Sequence, residues 1–284
     1  MSRYTQQVPD VERVLRMLED KGLVSDRSAV ENDHIAFRTL GVPNLGIKSF
    51  EKIFLHCGYE KRDPYSFAAK KLDAYWYSPP KDHYPRIFIS ELRVDDLSRE
   101  AASIIKSYTD SVAVDPVDSL DLDDGKAVTE FLHRPLWQTP TWSDYQQLLE
   151  ESEYAAWVIY NRYYLNHFTI AVHNLPSPYN SIPKFNELLH QAHISLNNSG
   201  GEIKISPDEL LWQSSSVAAL VDATFADGDV HPIAGSYVEF AERKVKPEFR
   251  AIQNPERCHR REGFEASNAD KIFESTFTTQ TNRG

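Results

Sequence analysis

The sequence contains only two cysteines, Cys57 and Cys258, which are too few for a disulfide framework and are typical of a reducing compartment. No run of eighteen apolar residues occurs, so no segment is predicted to span a membrane. No apolar stretch follows a basic start, so no signal peptide is predicted. We therefore expect a cytoplasmic protein that does not act at a membrane.

Positive charge and glycine are also scarce. The net charge is −11 and no basic run of five or more residues exists, which argues against nucleic-acid binding. A small anionic substrate is compatible with this charge, because one buried arginine is enough to bind it. There are only 11 glycines, and the sequence has no dinucleotide-binding loop, P-loop, HExxH or G-x-S-x-G motif.

The composition that is present favours a globular enzyme-sized chain, with 41% hydrophobic and 12% aromatic residues in 284 positions. We predict a single compact domain over 1–284, whose oligomeric state the sequence does not indicate. Its predicted parts are a first half (30–112), a connector (113–159), a second half (160–245) and a C-terminal tail (246–284).

Hydrophobic periodicity predicts the same order of elements in both halves. The predicted elements of the first half are a strand (34–40), a helix (46–57), two strands (71–80 and 85–94) and a helix (95–112). Those of the second half are a strand (166–173), a helix that begins after 181–183 and stops near Gly200, and strands at 210–225 and 235–244. A further helix is predicted over 9–23. The fold class is therefore α+β, with two βαβββ-like modules that form an open β-barrel with flanking helices.

A histidine opens the first strand of each half, and a glutamate lies in the middle of each closing strand. His34 and Glu91 are the pair in the first half, and His167 and Glu239 are the pair in the second. Since one face of each strand points into a barrel, these side chains are predicted to converge. Glu91 is then either a fourth metal ligand or a buried structural acid, and we favour the second interpretation.

Two neutral imidazoles and one carboxylate on three strands are typical of a facial triad that leaves adjacent positions on Fe(II) open. His34, His167 and Glu239 are therefore the candidate metal ligands. The alternative is that both histidines are ordinary residues at strand ends, and that Glu239 pairs with Arg243 or Lys244.

Two further residues are candidates for substrate binding. Arg38 lies four residues after His34, on the same face of the predicted strand, where its guanidinium would bind a substrate carboxylate through two hydrogen bonds. The alternative for Arg38 is a surface salt bridge. Ser215, in the stretch QSSS at 213–216, offers a hydroxyl to the same carboxylate, although such residues are often merely solvated. His173 is expected at the rim of the site.

Several stretches together resemble one known family. They are DHIAFRT (33–39), RIFISEL (86–92), ESEYAAWVIYN (151–161), NHFTIAV (166–172), LLWQSSSVA (210–218), GSYVEFAERK (235–244) and GFEASNADKIFEST (263–276). In this order they resemble the 2-oxoadipate dioxygenase/decarboxylase family, also called hydroxyglutarate synthases, over roughly residues 10–280.

The resemblance implies a vicinal-oxygen-chelate-like fold with an Fe(II) centre. The family's metal ligands fall on His34, His167 and Glu239, and its substrate-carboxylate arginine falls on Arg38. The implied partners are a 2-oxo diacid such as 2-oxoadipate and O2, and the implied products are 2-hydroxyglutarate and CO2. Other divalent metals compete for such sites in purified proteins.

Two other functions fit the same residues. One is a metal-dependent isomerase or lyase of glyoxalase type, in which Glu91 is a fourth ligand or a base and O2 is not needed. The other is a non-enzymatic protein that binds a metal or a small molecule. Oxygen consumption distinguishes the oxygenase from the glyoxalase-type enzyme. Turnover distinguishes either enzyme from the non-enzymatic binding protein.

Overall fold

A computed structural model of the chain describes residues 2–282. Residues 283 and 284, the last of the predicted C-terminal tail, lie outside the described residues. The strands are β1 (Asn32–Leu40), β2 (Glu60–Phe67), β3 (Leu72–Ser78), β4 (Arg86–Leu92), β5 (His167–Ala171), β6 (Lys204–Ile205), β7 (Leu211–Ser215), β8 (Leu220–Thr224), β9 (Val230–Ala234) and β10 (Tyr237–Arg243).

The helices lie before, between and after these strands. They are α1 (Ser2–Gln7), α2 (Pro9–Asp20), α3 (Ile47–His56), α4 (Arg99–Thr109), α5 (Gly125–Phe131), α6 (Trp142–Glu151), α7 (Glu153–Asn161), α8 (Ile182–Gln191), α9 (Ala266–Ile272) and α10 (Thr278–Thr281). A 3-10 turn, Phe273–Thr276, follows α9.

Eight strands form one curled sheet in the order β2-β3-β4-β1-β5-β10-β7-β6, and β8 and β9 form a separate hairpin. Each half repeats one pattern, in which the closing strand lies parallel to the opening strand and the other neighbours are antiparallel. The two opening strands, β1 and β5, join the halves in antiparallel fashion. The predicted α+β fold with two βαβββ-like modules is confirmed.

Besides the two-residue strand β6, two strands were not predicted. The β2 strand carries mostly exposed residues and Pro64 at one edge of the sheet, with a register shift near the proline, so it lacks the alternation that marks a half-buried strand. The predicted single strand over 210–225 is wrong, because the chain leaves the sheet after Ser215 and continues as β8 of the hairpin. Its partner β9 is the other strand that the pattern did not reveal.

Other predicted boundaries also shift. The strand predicted over 166–173 ends at Ala171, and Val172–Asn174 form a 3-10 turn. His173 therefore lies in a turn and not at the end of a regular strand. The helix of the second half ends at Gln191, well before Gly200. The predicted connector, 113–159, contains α5, α6 and most of α7.

The two faces of the sheet are covered by different parts of the chain. On one face, Phe50 of α3 packs against Phe37 at 4.9 Å between ring centroids, and Phe185 of α8 packs against Phe240 at 5.1 Å. The buried stripe of α2, at 11, 14, 15 and 18, joins this side of the second half. The other face is covered by α7 and by residues 264–276, which we call the closing segment. Alternate residues of β1, β5 and β10 point towards this second face.

Candidate metal centre

The three predicted ligands lie together beneath the closing segment. Nε2 of His167 is 3.1 Å from Oε2 of Glu239, and Nε2 of His34 is 3.5 Å from Oε1 of the same carboxylate. The two imidazole rings are 5.5 Å apart between centroids and nearly perpendicular, at 85°. One ligand atom from each residue lies within 4.8 Å of the others, and all three residues are buried. This spacing is compatible with a single shared metal ion.

The sheet brings these residues together across long stretches of chain. His167 is the first residue of β5, which lies between β1 and β10. His34 lies near the start of β1, and Glu239 lies two residues into β10. Because all three side chains emerge on the same face of neighbouring strands, the backbone fixes their spacing.

Each histidine is oriented by the residue that precedes it. Nδ1 of His34 lies 2.8 Å from Oδ1 of Asp33, and Nδ1 of His167 lies 3.0 Å from Oδ1 of Asn166. With the proton on Nδ1 in both rings, both Nε2 atoms present a lone pair towards the centre, as metal ligation requires. In His34 that atom also lies 3.0 Å from the hydroxyl oxygen of Thr169.

Asp33 is itself held by two buried arginines. Its Oδ2 accepts hydrogen bonds from Nε of Arg243 at 2.7 Å and from Nη1 of Arg86 at 3.2 Å. Burial would raise the pKa of the Asp33 carboxyl, but Arg243 and Arg86 outweigh burial and hold the pKa well below its usual range. The sequence analysis assigned no role to Asp33, although an acid directly before a ligand histidine was a usable signal. Arg243 therefore pairs with Asp33 and not with Glu239, whose carboxylate lies against the two histidines.

The carboxylate of Glu239 is charged in this environment. Burial would raise its pKa, but the adjacent imidazoles of His34 and His167 lower the pKa to about 2. Nε2 of Gln213 donates to its Oε1 at 2.6 Å, and Asn268 of α9 in turn donates to Gln213 at 2.9 Å. Burial lowers the pKa of His167, which favours the neutral imidazole. A charged carboxylate and a neutral imidazole are the forms that bind a divalent cation.

The candidate ligands line a small cavity of about 20 Å³, which has room for roughly one water molecule. Its apolar wall comes from β4 and from the closing segment, with Phe88, Phe264, Ala269, Ile272 and Phe273. A ligand larger than water therefore enters only when this wall moves.

Arg38 lies in the same cavity, as its spacing from His34 predicted, and is 1% exposed. Its Nη1 donates to the hydroxyl of Thr276 at 2.9 Å, and its Nη2 donates to the carbonyl of Phe273 at 3.0 Å. The guanidinium lies 5.1 Å from the ring centroids of both Tyr154 and Trp157. No acid among residues 2–282 forms a salt bridge with Arg38, and its Nε has no hydrogen-bond partner there. This arginine is a buried positive charge with no acid in direct contact, and Glu153 acts on it only at longer range.

The sequence matches the profile of the 2-oxoadipate dioxygenase/decarboxylase family over residues 1–254. The chain belongs to this family. It is 44% identical, over 267 residues, to the chloroplastic 2-oxoadipate dioxygenase/decarboxylase of Arabidopsis thaliana, a match that covers 88% of this chain and 69% of that protein. The family consists of oxidoreductases, so the enzyme class that the sequence predicted is confirmed.

Solved structures support the same assignment. The chain superposes on the hydroxyglutarate synthase of Oryza sativa in complex with 2-oxoadipate with a TM-score of 0.90 and 41% identity, covering 99% of this chain and 91% of that one. A glyoxalase-superfamily protein of Ralstonia eutropha has a TM-score of 0.70 and 19% identity, covering 93% and 83%. The second likeness concerns the fold, and it confirms the predicted vicinal-oxygen-chelate-like architecture.

The family assignment leaves the expected location open. No helix within residues 2–282 is long and apolar enough to cross a membrane. The Arabidopsis relative is named as chloroplastic. The cytoplasmic location expected from the sequence stays a prediction.

Ser215 lies near the candidate metal centre without lining the cavity. It pairs with Glu239 in the ladder between β7 and β10, and its hydroxyl shares a hydrogen bond with the hydroxyl of Ser275 at 2.8 Å. Gln213, on the same face of β7, does line the cavity. The substrate role of Ser215 stays a prediction, and the structure instead places Gln213 beside the ligands.

Glu91 lies on the opposite face of the sheet. Its Oε2 accepts a hydrogen bond at 2.6 Å from the backbone N–H of Ile47, the first residue of α3. Glu242 does the same for Ile182, the first residue of α8, at 2.9 Å. Both glutamates therefore stabilise the positive end of a helix, which agrees with the structural role favoured for Glu91. Because Glu91 faces away from the cavity, it is not in place to act as the metal ligand or the base that the alternative glyoxalase-type function requires.

The strand register shows which residues of the two halves correspond. Arg86 pairs with His34, and Tyr237 pairs with His167. The two helix-capping glutamates each stand five residues further along their strands, so they are equivalent to each other. The predicted equivalence of Glu91 with the ligand glutamate is therefore wrong. The residue of the first half that corresponds to the ligand glutamate is Phe88.

Proposed function

We propose that this protein is an Fe(II)-dependent dioxygenase/decarboxylase that converts a 2-oxo diacid, such as 2-oxoadipate, with O2 into 2-hydroxyglutarate and CO2. One observation carries the proposal: Arg38, a buried cation without an acidic partner, lies in the same cavity as the three candidate ligands. A carboxylate of the substrate would supply the missing negative charge. Membership of the family and the 2-oxoadipate complex of the rice relative support the choice of substrate.

His34, His167 and Glu239 would hold the metal. Two imidazole nitrogens and one carboxylate suit Fe(II), and other divalent ions also fit this donor set. When bound, Fe(II) would supply adjacent sites for the 2-oxo acid and O2 and would polarise the keto group. One atom of O2 then ends in the carboxylate left by the loss of CO2, and the other ends in the new hydroxyl.

Arg38 would orient the substrate. Its planar guanidinium offers parallel N–H donors that match a carboxylate, and its aromatic neighbours keep the plane fixed. Thr276 and Phe273 of the closing segment bind this guanidinium when the cavity is closed. The substrate carboxylate would therefore compete with the closing segment for the same N–H groups as it enters.

The walls of the cavity would keep water away from the reaction. Phe88, Phe264 and Phe273 surround the ligands with apolar surface. In such a dry site the charge interactions of Arg38 with a carboxylate are stronger than in water, and reactive species are protected from hydrolysis.

Oxygen uptake tests this function directly. Protein reconstituted anaerobically with Fe(II) is mixed with 2-oxoadipate, and O2 consumption and CO2 release are recorded together. We expect equal amounts of both, and loss of both in His167→Ala. Arg38→Ala is expected to keep its metal and to need a much higher substrate concentration. Metal-loaded wild-type protein that consumes no O2 with 2-oxoadipate would refute the proposal.

A further inference from the structure

Two buried donors that line the cavity lack hydrogen-bond partners in the described part of the chain. They are Nε of Arg38 and Nδ2 of Asn166. A buried donor without a partner is destabilising, and native proteins rarely keep one without a reason. A substrate carboxylate accounts for Arg38, whereas nothing in the proposed function so far accounts for the amide of Asn166.

The backbone holds Asn166 firmly in place. Its N–H donates to the carbonyl of Ala36 at 3.0 Å, and its carbonyl accepts from the N–H of Tyr237 at 3.2 Å. The residue is therefore fixed between β1 and β10, and it is 1% exposed. Its side chain has little freedom to turn towards another partner.

The chemistry of His167 fixes which end of the amide faces it. A ligand nitrogen at Nε2 needs its lone pair, so the single proton of the neutral ring is on Nδ1. That N–H needs an acceptor, and Oδ1 of Asn166 lies 3.0 Å from Nδ1. The NH2 group of the same amide therefore points away from His167, and it is left without a partner in a residue that lines the cavity.

The residue that supports the histidine of the first half has no such free donor. Asp33 occupies the same position before His34, but its carboxylate is fully engaged by His34, Arg86 and Arg243. A carboxylate has no donor to offer. An asparagine at 166 supplies the same acceptor for the histidine and adds a donor that the aspartate lacks.

We propose that Asn166 binds the substrate as well as supporting His167, and that its Nδ2 donates a hydrogen bond to an oxygen of the 2-oxo acid held at the metal centre. This inference rests on the proposed function. Its target is an acceptor oxygen, either of the keto group or of the carboxylate beside it. Arg38 and Asn166 then contribute two separate donors to one anionic ligand.

Three variants separate the two roles of the amide. Asn166→Asp keeps an oxygen for His167 and removes the donor. Asn166→Leu removes both atoms without adding charge. The matched control is Asn186→Asp, because Asn186 is also buried, accepts a hydrogen bond from Ser214 at 2.7 Å and has an unpartnered Nδ2, but lies in α8 outside the cavity.

The measurement is anaerobic calorimetric titration of 2-oxoadipate into protein saturated with Co(II), with the Co(II) affinity measured separately. We expect the affinity for 2-oxoadipate to fall roughly tenfold to a hundredfold in both Asn166 variants, as the loss of one hydrogen bond to a charged group predicts. Co(II) affinity is expected to fall in Asn166→Leu and to stay within about threefold of wild type in Asn166→Asp. Asn186→Asp is expected to match wild type in both affinities.

Wild-type affinity for 2-oxoadipate in Co(II)-saturated Asn166→Leu would overturn the inference. It would do so even if Asn166→Asp bound weakly, because repulsion by the new charge would then explain that loss. Asn166→Ala replaces the leucine variant if circular dichroism shows that the latter does not fold. Wild-type protein that binds Co(II) but not 2-oxoadipate would instead refute the proposed function, and the inference with it.

Discussion

Arg243 and Asp33, 210 positions apart in the sequence, form a two-pronged ion pair directly behind His34. Nε and Nη2 of Arg243 donate to the two carboxylate oxygens at 2.7 and 3.0 Å. Both side chains are 1% exposed. The ion pair links the end of β10 to the start of β1, so one contact both closes the sheet around the centre and orients a ligand.

Replacing Asp33 with asparagine should affect stability and metal binding together. Arg243 would be left as a buried cation without its carboxylate partner, whereas Arg86 keeps Glu262, and we expect the free energy of unfolding to fall by about 3–5 kcal/mol. His34 would lose its charged support, and metal affinity should fall roughly 10- to 100-fold. Urea unfolding and competitive titration with a chelator measure the two effects.

Asp95→Asn is the control for this prediction. Asp95 forms an exposed salt bridge with Lys106, and such pairs contribute less than about 1 kcal/mol. An Asp33→Asn protein whose unfolding free energy lies within about 1 kcal/mol of wild type would contradict the role of the buried ion pair.

Replacement by methionine should affect the free energy of unfolding very differently at the two fully buried arginines, Arg38 and Arg243. Arg243→Met removes the two-pronged partner of Asp33 and leaves only Arg86 to balance this buried carboxylate, so it should lower the free energy of unfolding by about 3–5 kcal/mol. Arg38→Met removes a charge that has no acidic partner, so we expect the ligand-free protein to stay within about 1 kcal/mol of wild type. The same substitution should weaken 2-oxoadipate binding roughly 30-fold or more. Chemical unfolding and calorimetry report these quantities, and a large loss of stability in Arg38→Met would show that its role is mainly structural.

A divalent metal should stabilise the protein through Glu239. At a free concentration about 100 times the dissociation constant, binding adds about 2.7 kcal/mol to the free energy of unfolding. For a chain of this size the melting temperature should rise by roughly 5 °C or more, and a chelator should reverse the rise. We expect no such rise in Glu239→Gln.

Glu242→Gln is the matched control for this metal effect. It lies on the same strand but on the opposite face, and a glutamine oxygen can still accept the hydrogen bond from Ile182. It should therefore keep the full rise in melting temperature. An equal rise in Glu239→Gln and Glu242→Gln would exclude Glu239 as a ligand.

His173 should make the fold sensitive to acid. Its Nδ1 accepts a hydrogen bond from the backbone N–H of Arg243 at 3.2 Å, and burial lowers its pKa to about 4. Between this value and the unfolded-state pKa of about 6.5, the unfolded chain binds more protons than the folded protein. Stability contributed by neutral His173 is therefore present above this window and is lost as the pH falls through it, by at most about 1.4 kcal/mol per unit.

The His173→Gln variant isolates this contribution from those of other groups. The difference in unfolding free energy between wild type and variant should move in favour of the variant as the pH falls from about 6.5 to about 4.5. Urea unfolding at several pH values measures it. A difference that does not change with pH would show that His173 titrates alike in the folded and unfolded chain.

The grouping of ligands could be predicted because it follows from strand geometry. Alternation places His34 and Arg38 on one face of β1, and the repeated order of elements brings β5 and β10 beside it. The misassignment of Glu91 shows the limit of this reasoning. Its position in the middle of a closing strand suggested equivalence with Glu239, but equivalence depends on register, which only the pairing of the strands reveals.

The walls of the cavity could not be predicted in the same way. Phe264 stands alone in a polar region, and no local period indicates that its ring contacts the ring of His34 at 4.8 Å between centroids. Such contacts depend on how the chain returns across the sheet. Local patterns therefore identified the ligands better than they identified the space around them.

The candidate metal ligands and most of the apolar cavity wall come from different parts of the chain. All the candidate ligands precede residue 244, whereas most of the apolar wall and the partners of Arg38 follow residue 263. Changes in the closing segment can alter the shape and size of the cavity without changing the atoms that would hold the metal. Substitutions in this short segment would therefore change which molecules fit the cavity, while the candidate metal ligands stay the same.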